Sequence, residues 1–255
     1  VRLPIRSRAT RSLLACLALR AGSYVSADVL TTWVWGDDDL PENPVPALQT
    51  VVSRLRRTLR EAGTALTIET GSGGYVLRVP SEQVDVQRFE SRVRQARQLA
   101  QRGDQERAVG LLDDALALWT DVQALVDVTP SPAATGEAAR LAELRLNTLH
   151  DRIELLLALR PAREQVADLA RLTSQHPLRE GFARLYMVAL EASGRRAEAL
   201  EVYRRLAHTM NSELGLGPGP EVQGLHAELL TDRPPPARED VAAAETPQPS
   251  WPVRV

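Results

Sequence analysis

Four arginines within seven positions, Arg54, Arg56, Arg57 and Arg60, are the strongest chemical signal in this chain. They belong to the stretch PVPALQTVVSRLRRTLREAG, in which Leu48, Val52, Leu55 and Leu59 recur at helical spacing and predict one buried stripe. At about 100° per residue, Thr50, Ser53, Arg54 and Arg57 fall opposite that stripe, and Gln49, Arg56 and Arg60 form the next flank. A guanidinium can bond two acceptors at once and short hydroxyls permit close approach, so such a face suits a nucleic-acid major groove. Taken alone, an arginine-rich helix face is more readily a solvated surface.

The flanking segments shift that balance. RATRSLLACLALRAG is an apolar run closed by Gly22, a helix C-terminal signal. SADVLTTWVWG opens on Ser26 as N-cap, carries an acid in its first turn and stops at Gly36. After the arginine helix, ALTIETGSGGYVLRV reads as a Gly-rich hairpin. Three helices and a hairpin within residues 1–80 predict a winged helix-turn-helix domain, with the arginine helix as the one that enters the groove. Val1 to Ile5 alternates like a short strand, the last of something upstream. With Val rather than Met in first place, that suggests a fragment of a longer chain.

Composition sets bounds. All 31 basic residues are Arg, so no Schiff-base, phosphate-loop or general-base lysine exists here. The net charge of −2 is shared unevenly: residues 1–80 hold ten Arg against seven acids, the remainder 21 against 26. Affinity for a polyanion must therefore come from placed arginines rather than a strong general field. The one cysteine, Cys16, falls on the apolar face of the first helix. It excludes an internal disulfide and fits a reducing, cytoplasmic setting. No segment has the roughly 18 apolar residues of a membrane span.

From Asp85 to about Leu230 the pattern is helical, after a hinge at PSEQV and with a break at about Asp121 to Pro132. GDQERAVGLLDDALALW starts with an N-cap at Gly103–Asp104 and places Ala108, Leu111, Leu112, Leu116 and Trp119 on one side. A long amphipathic helix is expected from about Thr135 to Arg160. RPAREQVADLARLTSQHP and GRRAEALEVYRRLAHTMNSELG superimpose at a 34-residue shift, so that Leu169 maps on Tyr203 and Leu172 on Leu206. That period in helix pairs is the spacing of tetratricopeptide repeats, whose units bury their faces only by stacking. The fold class expected is therefore mainly α: a winged helix-turn-helix domain over 1–80, tetratricopeptide-like helices over 81–230 and a Pro-rich linker over 231–255.

The ordered motifs RATRSLLACLALRAG, SADVLTTWVWGDD, LQTVVSRLRRTL, GGYVLRV, VDVQRFE, RAVGLLDDALALW, EAARLAELRLNTLHDRIE, HPLREGFARLYMVALEASGRRAEALEVYRRL and ELGLGPGPEVQGLH resemble the Streptomyces antibiotic regulatory protein family. The resemblance covers about residues 1–230. It implies an activator with an OmpR-type winged DNA-binding domain and a bacterial transcriptional activation domain. It further implies binding to direct repeats in promoters, as a dimer or larger assembly, and recruitment of RNA polymerase, with secondary metabolism as the controlled process.

By position, SRLRR is similar to the RRLRK of OmpR-type recognition helices. That match implies Arg54 at base edges, Arg56 on a flanking phosphate, and Arg57 and Arg60 as further backbone contacts. Thr50 and Ser53 are suited to close approach. The wing tip of the family often carries an Arg for the minor groove, whereas Gly71 stands here, leaving Thr70, Ser72 and backbone N–H groups for phosphate. The loop GDDDLPENPVP, with Asp37, Asp38, Asp39 and Glu42, occupies the place that faces polymerase in OmpR-type regulators, in the region of its sigma factor. The family also opens with a small antiparallel sheet, of which only the last strand is present.

No cofactor, metal or catalytic constellation is expected. GSGGY lacks the Lys and helix start of a nucleotide loop. His150, His176, His208 and His226 share no ligand spacing, and Asp113–Asp114 reads as a solvated pair on the outer side of a helix. The competing reading is a tetratricopeptide-like scaffold for protein partners with a vestigial winged domain, favoured by the modest basic excess.

Overall fold

The computed structural model describes residues 4–36, 40–121 and 123–231, and their packing divides at Pro161 into two compact units. The first begins with α1 (Arg8–Leu19), β1 (Val25–Ser26), α2 (Ala27–Trp35), α3 (Pro44–Glu61), β2 (Thr67–Gly71) and β3 (Gly74–Arg78). Helix α1 starts where the Ser7 hydroxyl accepts the Thr10 N–H at 3.5 Å, and it buries Leu13, Cys16 and Leu17. Helix α2 starts at Ser26, whose hydroxyl accepts the Val29 N–H, with Asp28 beside the positive helix end, and it stops at Gly36. Trp33 is buried at its centre, while Trp35 is half-buried.

On α3, Leu48, Val52, Leu55 and Leu59 are each buried, as the periodicity requires, and Val51 joins them. Full burial of such side chains is worth about 1.5–3 kcal/mol each. That packing overrides the modest intrinsic stability of a helix with two prolines in its first turn. The sheet has the order β1-β3-β2 and is antiparallel throughout, with Val25 opposite Tyr75 and Ile68 opposite Leu77. Ile68, Tyr75 and Leu77 close the core over the three helices. The strand expected over residues 1–5 lies largely outside the described residues, and Pro4 and Ile5 are not in a strand.

Cys16 is buried in this core, and burial raises its thiol from the ordinary value of 9.0 to about 11, although Arg20 donates to its sulfur at 3.3 Å. The folded state thus keeps the proton at pH values where an unfolded thiol loses it. Stability from this source is complete below about pH 9 and is lost as the pH rises through about 11. Denaturant titrations at pH 8 and pH 10.5 are expected to show the native chain weaker at the higher pH, a difference that Cys16→Ala reduces. Alkylation of Cys16 at neutral pH is expected only on unfolding.

The same unit continues through a 3-10 turn at Ser81–Gln83 into α4 (Asp85–Gln101), α5 (Gln105–Leu116) and α6 (Pro132–Leu159). Phe89, Val93, Ala96, Ala108, Leu112 and Ala115 form their shared core, with Trp119 edge-on to Phe89 at 5.6 Å. Four details differ from what the sequence led one to expect. Asp104 makes no cap bond and instead pairs with Arg107 at 3.1 Å. Trp119 lies beyond the end of α5, and α6 begins three residues early, at Pro132, because the Ser131 hydroxyl accepts the Ala134 N–H. Asp113 is not merely solvated: it is ion-paired with Arg152, and Arg97–Asp151 and Arg140–Glu90, both 2.8 Å, also fasten α4 and α5 to α6.

The connection before α6 is part of the winged core. Arg11 donates to the Asp127 carbonyl at 2.9 Å, and the Ser12 hydroxyl accepts the Thr129 N–H at 2.7 Å. Val128 and Ala134 are buried with Leu13 and Trp33.

The second unit contains α7 (Val166–Gln175), α8 (Glu180–Ala192), α9 (Arg196–Leu214) and α10 (Pro220–Leu230). The 34-residue correspondence holds in the helices: Leu172 on α7 and Leu206 on α9 are both buried. Leu169 is buried too, whereas its counterpart Tyr203 is half-buried and stacked on His226, with ring centres 3.7 Å apart. Gly215 closes α9 in the left-handed conformation (φ +67°), which favours glycine. The Gly219 N–H then bonds the Glu180 carboxylate at 2.6 Å and fixes the start of α10.

Candidate nucleic-acid interface

With the leucine stripe of α3 turned inward, Thr50, Ser53, Arg54, Arg57 and Arg60 are all exposed. Arg54 and Arg60 have no hydrogen-bonding or ionic partner for their guanidinium groups among the described residues. Arg57 has only Glu61, 3.9 Å away and itself exposed. Such an i,i+4 pair is worth a few tenths of a kcal/mol and yields readily to a competing anion. The Thr50 hydroxyl donates to the Pro46 carbonyl at 3.0 Å, so it presents a methyl group and an acceptor rather than a free donor. Gln49 is exposed one position earlier.

Arg56 behaves differently from the phosphate contact implied by its position. Its Nε and Nη2 donate to the Ile68 carbonyl at 3.0 and 2.7 Å, and Nη2 also donates to the Thr70 hydroxyl at 2.8 Å. Its guanidinium lies 5.8 Å from the centre of the Tyr75 ring. These bonds tie α3 to β2 and occupy Thr70, which was expected to face phosphate. Arg56 therefore fixes the angle between helix and wing. Beside it, Ser53, Leu59, Arg60, Leu66 and Thr67 help line a recess of about 330 Å³ between α3 and β2.

The wing turns tightly through Ser72 and Gly73, with Gly73 at φ +87°. Ser72 is exposed at the tip, and an Arg78–Glu69 pair at 2.8 Å braces the hairpin. Two residues not singled out from the sequence shape this tip. Gly74 is required by close approach, since a Cβ there would lie 2.1 Å from the Val25 carbonyl oxygen. Tyr24 lays its ring against Gly71, where a Cβ would lie 2.7 Å from the ring. The only hint in the sequence is the GSGG run, which signals a close approach without naming what approaches. In the loop before α3, Glu42 is exposed, whereas Asp37, Asp38 and Asp39 lie outside the described residues.

An exposed arginine-bearing third helix followed by a braced two-strand wing defines a winged helix-turn-helix DNA-binding domain, here followed by tetratricopeptide-like helices. Residues 5–77 match the family model described as "Transcriptional regulatory protein, C terminal", and residues 84–230 match "Bacterial transcriptional activator domain". The chain is 37% identical to transcriptional regulator RedD of Streptomyces coelicolor over 254 residues, which cover 95% of this chain and 71% of RedD. It is 35% identical to regulatory protein DnrI of Streptomyces peucetius over 234 residues, covering 89% and 85%. Regulatory protein AfsR of Streptomyces griseus is 36% identical over 246 residues, but these span 93% of this chain and only 24% of AfsR. Among solved structures, Mycobacterium tuberculosis EmbR in complex with a low affinity phosphopeptide superposes with a TM-score of 0.83 at 28% identity, over 92% of this chain and 61% of that one. The chain belongs to the Streptomyces antibiotic regulatory protein family of transcriptional regulators. These relatives are named as regulators, not as enzymes. No helix among the described residues is long and apolar enough to cross a membrane.

Proposed function

We propose that this chain activates promoters by seating α3 in the major groove of direct repeats, in the cytoplasm, with secondary metabolism as the controlled process. The domains would act as residues 1–80 for DNA and 81–230 for activation. The observation that carries the reading is the joint exposure of Thr50, Ser53, Arg54 and Arg57 on one side of a helix whose other side is wholly buried. Arg54, unpartnered among the described residues, reaches O6 and N7 of a guanine. Ser53 and the Thr50 methyl group pack close to neighbouring bases. Arg57 and Arg60 take phosphates, Arg57 exchanging its weak pairing with Glu61 for the stronger charge of the DNA. Arg56, held by Ile68 and Thr70, sets the wing so that Ser72 and the backbone amides of the tip meet the sugar-phosphate chain.

Binding to direct repeats places two or more copies side by side, and the acidic loop with Asp37, Asp38, Asp39 and Glu42 is assigned to a basic surface of RNA polymerase near its sigma factor. Charge complementarity supports that assignment. Arg57→Ala and Arg60→Ala are each expected to weaken all DNA sequences alike and to lower the slope of log affinity against log salt by about one. Titrations at several salt concentrations, with a cognate and an unrelated duplex, check this. If the helices over 81–230 instead formed a protein-binding scaffold and the winged domain were vestigial, neither duplex would shift at any salt concentration.

A further inference from the structure

The wing tip is chemically one-sided. The Tyr24 hydroxyl donates to the carbonyl of Ser72, and the Ala27 N–H, at the first residue of α2, donates to the carbonyl of Gly73 at 2.8 Å. Both carbonyls of the two-residue turn are thus occupied by the segment that enters α2. The amides of Ser72 and Gly73, among the described residues, donate to no protein group. Successive free N–H groups in a turn form an anion-binding concavity, whereas free carbonyls at the same place would repel a phosphate.

The residues of the tip make such a clamp necessary. Gly71, Ser72, Gly73 and Gly74 carry no charge and no long side chain, so a phosphate can be held here only by backbone amides and the short Ser72 hydroxyl. A Gly-rich turn has the most conformational freedom to lose, and holding it before DNA arrives removes that cost from binding. Tyr24 holds it by its ring as well as by its hydroxyl: a Cβ at Gly71 would lie 2.7 Å from the ring and one at Gly74 2.9 Å from the hydroxyl oxygen. Tyr24 is about half exposed, at 48%, so it serves the wing rather than the core.

We infer that Tyr24 is a positioning residue for DNA binding, which locks the Ser72–Gly73 turn with its two amides directed at one DNA phosphate. This rests on the placement of α3 in the major groove. It adds a contact that does not depend on the bases read there.

The test uses the full chain and a promoter duplex recovered by its own genomic footprint. Tyr24→Phe keeps the ring and deletes the hydroxyl. Loss of one hydrogen bond predicts about 2- to 10-fold weaker binding. It also predicts loss of hydroxyl-radical protection on the wing side with the salt slope kept, because neutral amides release no counterion. Protection of guanine N7 from methylation under α3 and the thermal midpoint are expected to stay unchanged, which a merely structural role would not produce. Gly71→Ala is expected to displace the ring and weaken binding, and Tyr24→Ala/Gly71→Ala to bind no more weakly than Tyr24→Ala alone. Tyr24→Phe with wild-type affinity and wild-type wing-side protection would overturn the inference while leaving the α3 reading intact. Absence of any protected DNA for the wild-type chain would overturn both.

Discussion

Arg54→Ala is expected to cost about 1–3 kcal/mol of DNA binding, roughly 5- to 150-fold in Kd, and to relax the preference at one base pair of the site. The size follows from what the side chain gives up. Its guanidinium is exposed and has no partner among the described residues, so the free protein gains nothing by losing it. All of the loss therefore falls on the complex, where a bidentate bond to guanine disappears. The helix itself should be untouched, since Arg to Ala is neutral to slightly favourable for an exposed helical position. Affinity measured against a set of duplexes substituted at each position distinguishes this from a phosphate contact. Loss of discrimination at one position identifies base contact, and a uniform loss identifies a phosphate.

Leu55→Ala is expected to act through folding, at about 2–5 kcal/mol of stability. Leu55 is fully buried on α3, in the cluster that includes Leu13, Leu17, Trp33 and Leu77. Removing its side chain leaves a cavity within that cluster. Native stability is typically about 5–15 kcal/mol, so this change should remove a large share of it. A urea titration followed by tryptophan fluorescence reports the shift, because Trp33 is buried in the same cluster. Arg57→Ala, two residues away and exposed, is expected to leave the same titration within a few tenths of a kcal/mol. The contrast between the two variants separates the face that holds α3 from the face that is presented.

Much of the winged domain was legible because its signals are local. The Ser26 cap, the stop at Gly36, the apolar stripe of α3 and the hairpin each depend on residues a few positions apart. The parts that were not legible are set by distant pairings. Strand β1 is two residues long and exists only because β3 runs beside it across a gap of about fifty residues. A helical wheel places Arg56 on the flank of α3, but it cannot show that the Ile68 carbonyl waits twelve residues later. Ser12 carries no sign that Thr129 will bond it. Likewise Asp113 looked solvated because Arg152, its partner, stands 39 positions away on another helix.

The repeat architecture was legible for a different reason. A 34-residue correspondence survives at Leu172 and Leu206 because stacked helix pairs must bury the same face each time. Where Tyr203 replaces Leu169, the site opens and takes the His226 ring instead.

Whether the outward face of α3 reads duplex DNA, as proposed, is decided by a genomic footprint of the wild-type chain beside Arg54→Ala. The wild type is expected to give salt-sensitive protection at tandemly repeated sites. Arg54→Ala is expected to protect them more weakly and with one position no longer discriminated. Equal footprints from the two chains, or no footprint from either at any salt concentration, would contradict the proposal.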